Sequence, residues 1–233
     1  MAPTARDVLT RGEIEVQGRM PWSSNGTFLV EVWLDEVVES AVYKPRRGER
    51  PLWDFPDGLY KREVAAYELS EALGWDIVPL TVARDDGPLG EGSVQQFVPA
   101  DFSEHYFTLY EDQRWHDELR RICVFDLLAN NTDRKGGHCL LGEDGRLHAI
   151  DNGLAFHAEF KLRTVIWEFA GEPVPEDLLT DVARLVHEGL PAPLAGLLSV
   201  LERDALLTRA RAILRERTFP FDHSGHRYPW PLV

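Results

Sequence analysis

Lys44 and Glu63 are the first residues in this sequence whose types and spacing could do chemistry. Lys44 stands near the end of the run VVESAVYKP, and Glu63 lies in the helical segment that follows it. A carboxylate can hold a long lysine side chain in place, so that the ammonium group meets the negative charge of a phosphate. In the alternative interpretation both are solvated surface charges, because lysine and glutamate are exposed in most proteins.

A polar loop that follows an apolar helical segment is the second feature. In the run FDLLANNTDRKGGH, Asp133 could orient or deprotonate the hydroxyl group of an acceptor. Loops held by regular elements often carry binding and catalytic groups. Asn130 and Asn131 equally fit the C-terminal cap of the helix, because asparagine tolerates positive φ, and the loop is then only a turn.

Asp151 is the third feature, because it follows the apolar run LHAI and precedes Asn152 and Gly153. A carboxylate at the end of a buried strand suits Mg²⁺, which takes one or two carboxylates and fills its other positions with phosphate oxygens and water. Asp-Asn-Gly is also a favourable turn sequence, so Asp151 could instead cap its own backbone.

The hydrophobic pattern predicts that a β-rich part positions the first pair and a mostly helical part positions the two aspartates. The β-rich part has a three-stranded meander at residues 13 to 46, a helix at 58 to 74 ended by Gly74, and a hairpin at 77 to 100 with its turn at 85 to 87. The second part begins with a helix at residues 112 to 130 and a short hairpin at 138 to 151. Two amphipathic helices follow, at residues 175 to 190 and 192 to 217.

Composition restricts the partners that we expect. Lys plus Arg number 25 against 39 Asp plus Glu, and the net charge of −14 repels nucleic acid and anionic lipid alike. Cys123 and Cys139 fit buried thiols of a reducing compartment better than a disulfide. We find neither a signal peptide nor an apolar run approaching 18 residues, so we expect no membrane span and a cytoplasmic location.

The chain order of these features is that of the protein-kinase-like template: a strand lysine, a helix glutamate, a polar aspartate loop and an aspartate delivered by a hairpin. The runs AVYKP, KREVAAYELSEALGWDIVP, FDLLANNTDRKGGHCLL and HAIDNGLAF resemble the phosphatidylinositol 3/4-kinase-like branch of the kinase superfamily, in particular an actinobacterial group within it. That branch includes type II phosphatidylinositol 4-kinases, bacterial HipA-type kinases and secreted Fam20-type kinases.

The resemblance covers about residues 13 to 160, and it implies a fold for the whole chain. We expect an α+β, two-lobed protein-kinase-like fold that forms a single domain. A β-rich N-lobe would take residues 1 to 98, and a small, mostly helical C-lobe would take residues 99 to 233.

The resemblance also implies a role for each candidate residue. Lys44 would bind the phosphates of ATP with Glu63 as its helix partner. Asp133 would be the catalytic aspartate, and Asp151 would bind the metal ion, Mg²⁺ or Mn²⁺. The remaining ATP-binding positions would be a loop over the phosphates at Ser23, Ser24 and Asn25, and a hinge beside adenine at Gln96, Phe97 and Val98.

The catalytic loop departs from the pattern of this branch at two positions. His138 stands where a metal-binding asparagine is expected, five residues after Asp133, and Lys135 replaces a histidine. Imidazole suits Mn²⁺ or another transition ion better than Mg²⁺, so His138 is either a variant metal ligand or a group beside the metal.

The sequence therefore predicts a kinase that depends on ATP and a divalent metal ion. Its acceptor is left open among a protein side chain, an inositol-like headgroup and another small molecule. A second hypothesis is a nucleotide-binding pseudokinase that acts as a regulatory scaffold, motivated by the altered loop. A third keeps the fold but transfers AMP, with the phosphates of ATP bound in the reverse direction.

Overall fold

An antiparallel sheet of five strands forms most of the N-lobe in the computed structural model, which describes residues 2–21 and 25–233. The spatial order of the strands is β1-β2-β3-β5-β4, and all neighbours are antiparallel. The predicted meander and hairpin are thus confirmed. The strands are β1 (Glu13–Arg19), β2 (Phe28–Leu34), β3 (Val37–Pro45), β4 (Thr81–Gly87) and β5 (Gly90–Gln96).

The turn of the β4–β5 hairpin differs from the prediction. It lies at residues 88 and 89 rather than at 85 to 87, because β4 continues to Gly87. The pairing shifts register between Arg84 and Gly87, and the guanidinium of Arg84 donates to the carboxylate of Asp86 at 2.7 Å. This irregular strand end accommodates polar residues that the sequence pattern assigns to the turn.

A short helix that the sequence pattern did not predict packs against the sheet. Helix α1 (Ala5–Arg11) begins with a capping box between Thr4 and Asp7. It buries Val8 and Leu9 in the cluster that the sheet residues Val30 and Val32 also form. Seven residues with two buried apolar side chains show too little periodicity to be recognised in the sequence.

Helix α2 (Tyr60–Leu73) joins the sheet to the C-lobe and carries Glu63. It ends at Gly74, whose φ of 72° is the left-handed conformation that favours glycine, so this prediction is confirmed. The helix is buried on almost all sides, and even Glu63 and Arg62 are only 3% exposed. The guanidinium of Arg62 donates to the carboxylate of Glu202 in the C-lobe, so the buried positive charge of Arg62 is paired with a negative one.

The C-lobe consists of helices around one short hairpin, as predicted. The hydroxyl of Ser199 accepts from the N–H of Glu202, whose carboxylate accepts in turn from the N–H of Ser199 at 2.8 Å. This capping box starts a new helix, and Leu198 before it is extended, so the single helix predicted over residues 192 to 217 is wrong. The elements are α3 (Tyr106–Tyr110), α4 (His116–Ala129), β6 (Cys139–Leu141), β7 (Leu147–Ala149), α5 (Glu176–Glu188), α6 (Ala192–Leu197) and α7 (Val200–Glu216).

The core of the C-lobe fixes the loops that follow α4 and β7. Phe125 and Leu128 of α4 are fully buried, as is Phe156 beyond the hairpin. Cys123 and Cys139 are buried free thiols, as predicted. Across residues 2–21 and 25–233, no helix combines the length and the apolar character needed to cross a membrane.

Candidate active site

Lys44 joins two acidic residues from distant parts of the chain. Its Nζ donates to the carboxylate of Glu63 and to Oδ1 of Asp151, the latter at 2.8 Å. Burial alone would lower the pKa of Lys44, but the charges of Asp151 and Glu63 outweigh it and hold the pKa above its usual value. The side chain is 22% exposed, so a fixed, permanently charged ammonium group faces the cleft.

Glu63 also holds the backbone beside Asp151. Its Oε2 accepts from the N–H of Asn152 at 2.9 Å. A Cβ atom at Gly153 would lie 3.2 Å from Oε1 of Glu63, closer than most side-chain contacts, so glycine allows this approach. One buried carboxylate therefore fixes both Lys44 and the loop that presents Asp151.

Asp151 has its carboxylate turned toward the cleft. Its φ of 57° is left-handed, a conformation that aspartate tolerates better than most residues. Oδ1 accepts from Lys44, and Oδ2 lies 3.3 Å from Nε2 of His138. The charge of Lys44 holds the pKa of Asp151 well below its usual range, so the carboxylate is ionised at neutral pH. Its side chain is half exposed, which leaves room for a further ligand.

Asp133 lies in the loop that follows α4. Asn130 caps that helix with a φ of 53°, which confirms the cap interpretation for this residue. The N–H of Asp133 donates to the side-chain oxygen of Asn131 at 2.9 Å, and Nζ of Lys135 lies 3.2 Å from its Oδ2. Burial raises the pKa of Asp133 despite the charge of Lys135. The loop thus holds a half-buried carboxylate at the cleft.

A buried ion pair anchors this loop: Asp126, one turn before the end of α4, fits a residue that anchors the loop rather than one that touches substrate, and its partner is Arg134. Arg134 and Asp126 are fully buried and lie 2.9 Å apart, with two further contacts from Nε of Arg134. Arg134 also donates to the side chain of Asn152 at 2.7 Å and to the carbonyl of Ile150 at 2.6 Å. The loops of Asp133 and Asp151 are therefore locked to each other through Arg134.

These residues surround one cleft of about 480 Å³. Asn25 lines this cleft, whereas Ser23 and Ser24 lie outside the described residues. Lys135 is a cleft residue that the predicted site did not include, although its place two residues after Asp133 was a usable signal. The titratable side chains that line the cleft include Lys44, Glu49, Glu63, Asp133, Lys135, His138 and Asp151.

The three predicted hinge residues, Gln96, Phe97 and Val98, are not among the described residues that line the cleft. Strand β5 contributes Gln95 to the lining instead. The side chain of Gln96 donates to Glu39 at 3.1 Å, and its N–H donates to Leu80. The N–H of Phe97 donates to Ser40 at 2.9 Å. Alternation along the strand turns neighbouring side chains to opposite faces, which separates Gln95 from Gln96.

Asp151 and His138, the two predicted metal ligands, lie side by side but differ in how well they fit an ion. Asp151 offers an ionised, half-exposed carboxylate, as Mg²⁺ requires. Nδ1 of His138 accepts from the N–H of Lys135 at 3.3 Å, so the proton of the neutral ring belongs on Nε2, which faces Asp151. His138 is thereby set to donate to Asp151 rather than to bind a metal through Nε2.

The described residues contain no cluster of three His, Cys, Asp or Glu side chains able to hold an ion. An ion at Asp151 would therefore take most of its ligands from phosphate oxygens and water, which is the usual arrangement for Mg²⁺ beside a nucleotide.

Solved structures of kinase type share this architecture. The proinflammatory kinase CtkA of Helicobacter pylori is similar with a TM-score of 0.52 at 12% identity, over 90% of this chain and 94% of that chain. Hydra Fam20, solved with sugar, is similar with a TM-score of 0.52 at 12% identity, over 93% of this chain and 91% of that chain. These likenesses confirm the predicted α+β, two-lobed protein-kinase-like fold.

One curated relative is similar to this chain in sequence as well, which shows its family. Protein Rv2133c of Mycobacterium tuberculosis (strain ATCC 25618 / H37Rv) is 41% identical over an alignment of 274 positions including gaps, which covers 99% of this chain and 98% of that protein. The chain belongs to the family of Rv2133c. No known family model matches the sequence.

Proposed function

We propose that this protein is a kinase of the phosphatidylinositol 3/4-kinase-like branch, which transfers a phosphoryl group from ATP with the help of a divalent metal ion. The contact of Lys44 with both Glu63 and Asp151 carries the proposal, because it brings a strand, a helix and a distant loop together at one cleft. We further propose that the chain is a single domain whose lobes divide after residue 98.

Two lysines of the cleft would bind the phosphates of ATP. Lys44 is fixed by Glu63, and Lys135 lies on the same cleft beside Asp133. Two ammonium groups near one another attract a polyphosphate strongly when both face a partly desolvated cleft. We assign Lys44 to the α- and β-phosphates and Lys135 to the γ-phosphate, because Lys135 is the neighbour of the proposed catalytic aspartate.

Asp151 is the proposed metal-binding residue. When bound there, Mg²⁺ or Mn²⁺ would neutralise charge on the phosphate oxygens. Nε2 of His138 lies 3.3 Å from Oδ2 of Asp151 and helps to orient the carboxylate, while Nζ of Lys44 donates to Oδ1. The glutamate of α2 keeps the same loop in place through Asn152.

Asp133 is the proposed catalytic aspartate. Its raised pKa makes it a better proton acceptor than an ordinary aspartate, and the carboxylate would receive the proton of the attacking hydroxyl. Asn131 and Lys135 fix its position through the contacts at 2.9 and 3.2 Å. Most of the rate enhancement would come from this positioning and from the surrounding charges.

Calorimetric titration of ATP tests this function, with Mg²⁺, with Mn²⁺ and with a chelator. We expect metal-dependent binding to the wild type and its loss in Asp151→Ala. Asp204→Ala is the matched control, because Asp204 is exposed on α7 and lies outside the cleft. Failure of the wild type to bind ATP with either metal would refute the proposal.

Labelled ATP then separates the remaining hypotheses. A phosphate adduct on an acceptor supports a kinase, whereas an AMP adduct of larger mass would identify an AMP transferase. Nucleotide binding without any adduct or hydrolysis would favour the pseudokinase.

A further inference from the structure

A second cavity, of about 630 Å³, adjoins the first at the proposed catalytic aspartate. Asp133 and Leu154 line both the cleft and this cavity. Its volume falls in the range of about 300 to 1,000 Å³ that is usual for small-molecule sites. Its other walls include Trp53, Asp54, Phe160, Lys161, Arg163 and Arg227.

The charge of the second cavity is opposite to that of the whole chain. The described lining residues include three cations, Lys161, Arg163 and Arg227, against two carboxylates, Asp54 and Asp133. The chain as a whole has a net charge of −14. A local excess of positive charge beside the reacting aspartate attracts anions to this position.

Arg163 is the cation that a ligand could engage. Lys161 lies 3.0 Å from Asp54, and Arg227 lies 3.8 Å from Asp222, so both are at least partly neutralised. Arg163 is exposed, and its guanidinium has no hydrogen-bond or ion-pair partner among residues 2–21 and 25–233. A guanidinium presents paired N–H donors that match a carboxylate or phosphate group.

Aromatic rings complete the walls. Nζ of Lys161 lies 5.5 Å from the ring centre of Trp53, and Cζ of Arg227 lies 4.8 Å from that of Phe160. These cation–π contacts hold both cations along the walls. Trp53 is 95% exposed and Phe160 is 48% exposed, so apolar ring surface remains available for the C–H groups of a ligand.

We propose that the second cavity binds the acceptor, and that the acceptor is a small hydroxyl compound bearing a phosphate or carboxylate group. The anionic group pairs with Arg163, and the hydroxyl group points to Asp133. This inference rests on the proposed function, because it takes Asp133 as the residue that receives the acceptor proton.

The transfer step follows from this placement. The acceptor oxygen forms a bond to the γ-phosphorus of ATP, and the hydroxyl proton passes to a carboxylate oxygen of Asp133. The bond between the γ-phosphorus and the bridging oxygen breaks, and its electron pair leaves with ADP. The products are ADP and the phosphorylated acceptor.

Binding of two matched probes in the absence of ATP tests the cavity. Glycerol 3-phosphate keeps two of the three hydroxyl groups of glycerol and carries a phosphate on the third oxygen, so the two probes differ mainly in the anionic group. We expect calorimetry to give a Kd for glycerol 3-phosphate that is at least about tenfold lower than that for glycerol. In Arg163→Glu we expect the Kd for glycerol 3-phosphate to rise by about tenfold or more. Arg211→Glu is the matched control, because Arg211 is exposed on α7, lines neither cavity, and undergoes the same charge change.

Lys44→Ala shows which cavity holds the probe. The proposal is supported if Lys44→Ala still binds glycerol 3-phosphate and Arg163→Glu does not. It is overturned if Lys44→Ala loses this binding and Arg163→Glu keeps it, because the anion then lies in the nucleotide cleft. Absence of measurable binding to the wild type also overturns it. The third probe is a hexapeptide that contains a serine flanked by glutamates. If this peptide binds through Arg163 more tightly than glycerol 3-phosphate, the proposal that the acceptor is a small molecule is overturned.

Titration of ATP into the same wild-type sample distinguishes failure of the proposed function from failure of the proposed acceptor cavity. If ATP does not bind, the proposed function fails and the acceptor role fails with it. If ATP binds but probe binding does not depend on Arg163, only the acceptor cavity is refuted.

Discussion

Glu63 accepts a hydrogen bond from the backbone N–H of Asn152 at 2.9 Å, across 89 residues of sequence. The same buried carboxylate accepts from Lys44 of β3. Helix α2 therefore connects the sheet of the N-lobe to the loop that presents Asp151 in the C-lobe. Because one residue holds both partners, the position of Lys44, the proposed phosphate-binding lysine, depends on the packing of the two lobes.

The first prediction concerns the charge of Glu63. Glu63→Gln keeps the shape and one acceptor oxygen but removes the charge that fixes Lys44, so we expect the Kd for ATP with Mg²⁺ to rise by about tenfold. Calorimetry measures the change. Glu71→Gln is the control, because Glu71 is exposed on the same helix. Equal affinities for wild type and Glu63→Gln would contradict a role for this contact.

The second prediction concerns the buried pair of Arg134 and Asp126. Both side chains are 0% exposed, so Arg134→Met leaves an unpaired carboxylate in the core and lowers the free energy of unfolding by about 3 to 5 kcal/mol. Urea denaturation measures this loss. The double variant Arg134→Met with Asp126→Leu removes both charges, and we expect it to regain part of the stability. A double variant less stable than the single one would contradict this explanation.

The third prediction concerns pH and His138. Burial lowers the pKa of His138 from its ordinary 6.5 to about 4, so the unfolded chain takes up this proton at a higher pH than the folded one. The free energy of unfolding should therefore fall as the pH decreases from 6.5 to about 4, by up to about 3 kcal/mol. Urea denaturation with a chelator present measures it.

His138→Gln is the comparison for this pH dependence, because it has no titrating ring. The difference in stability between wild type and variant should change with pH only in this window. The pKa of Asp151 is depressed, so its contribution is present above its ordinary value of 3.8 and is lost at more acid pH. A constant difference between pH 6.5 and 4 would show that the ring is not held neutral.

The fourth prediction concerns Asp133 as the proton acceptor. Asp133→Asn preserves the shape but cannot take the proton, and we expect kcat to fall by about 10² to 10⁴ with a much smaller change in the Kd for ATP. Turnover of labelled ATP and calorimetry measure the two quantities. Because burial raises the pKa of Asp133, the acid limb of the wild-type pH profile should lie above the ordinary aspartate value of 3.8. Unchanged turnover in Asp133→Asn would remove Asp133 from the mechanism.

Local patterns were enough to predict most of the elements that carry the site. The alternation of apolar residues indicated β1 to β3, and the helical stripe ended by Gly74 indicated α2, because each pattern reflects which face of its own segment is buried. Lys44, Asp133 and Asp151 were recognisable as polar residues at the ends of apolar segments. Short elements were missed, since α1 has too few apolar residues to show a period.

Tertiary packing decided which of these residues meet. Oδ1 of Asp151 lies 2.8 Å from Nζ of Lys44, which stands 107 residues earlier in the sequence. No pattern within a single segment could predict this contact. The pair of Arg134 with Asp126, the turning of Gln95 rather than Gln96 toward the cleft, and the second cavity beside Asp133 likewise arise only where separate segments pack together. Hydrophobic periodicity determines the face that a segment buries, whereas the partner of each polar side chain depends on how all the buried faces fit around one core.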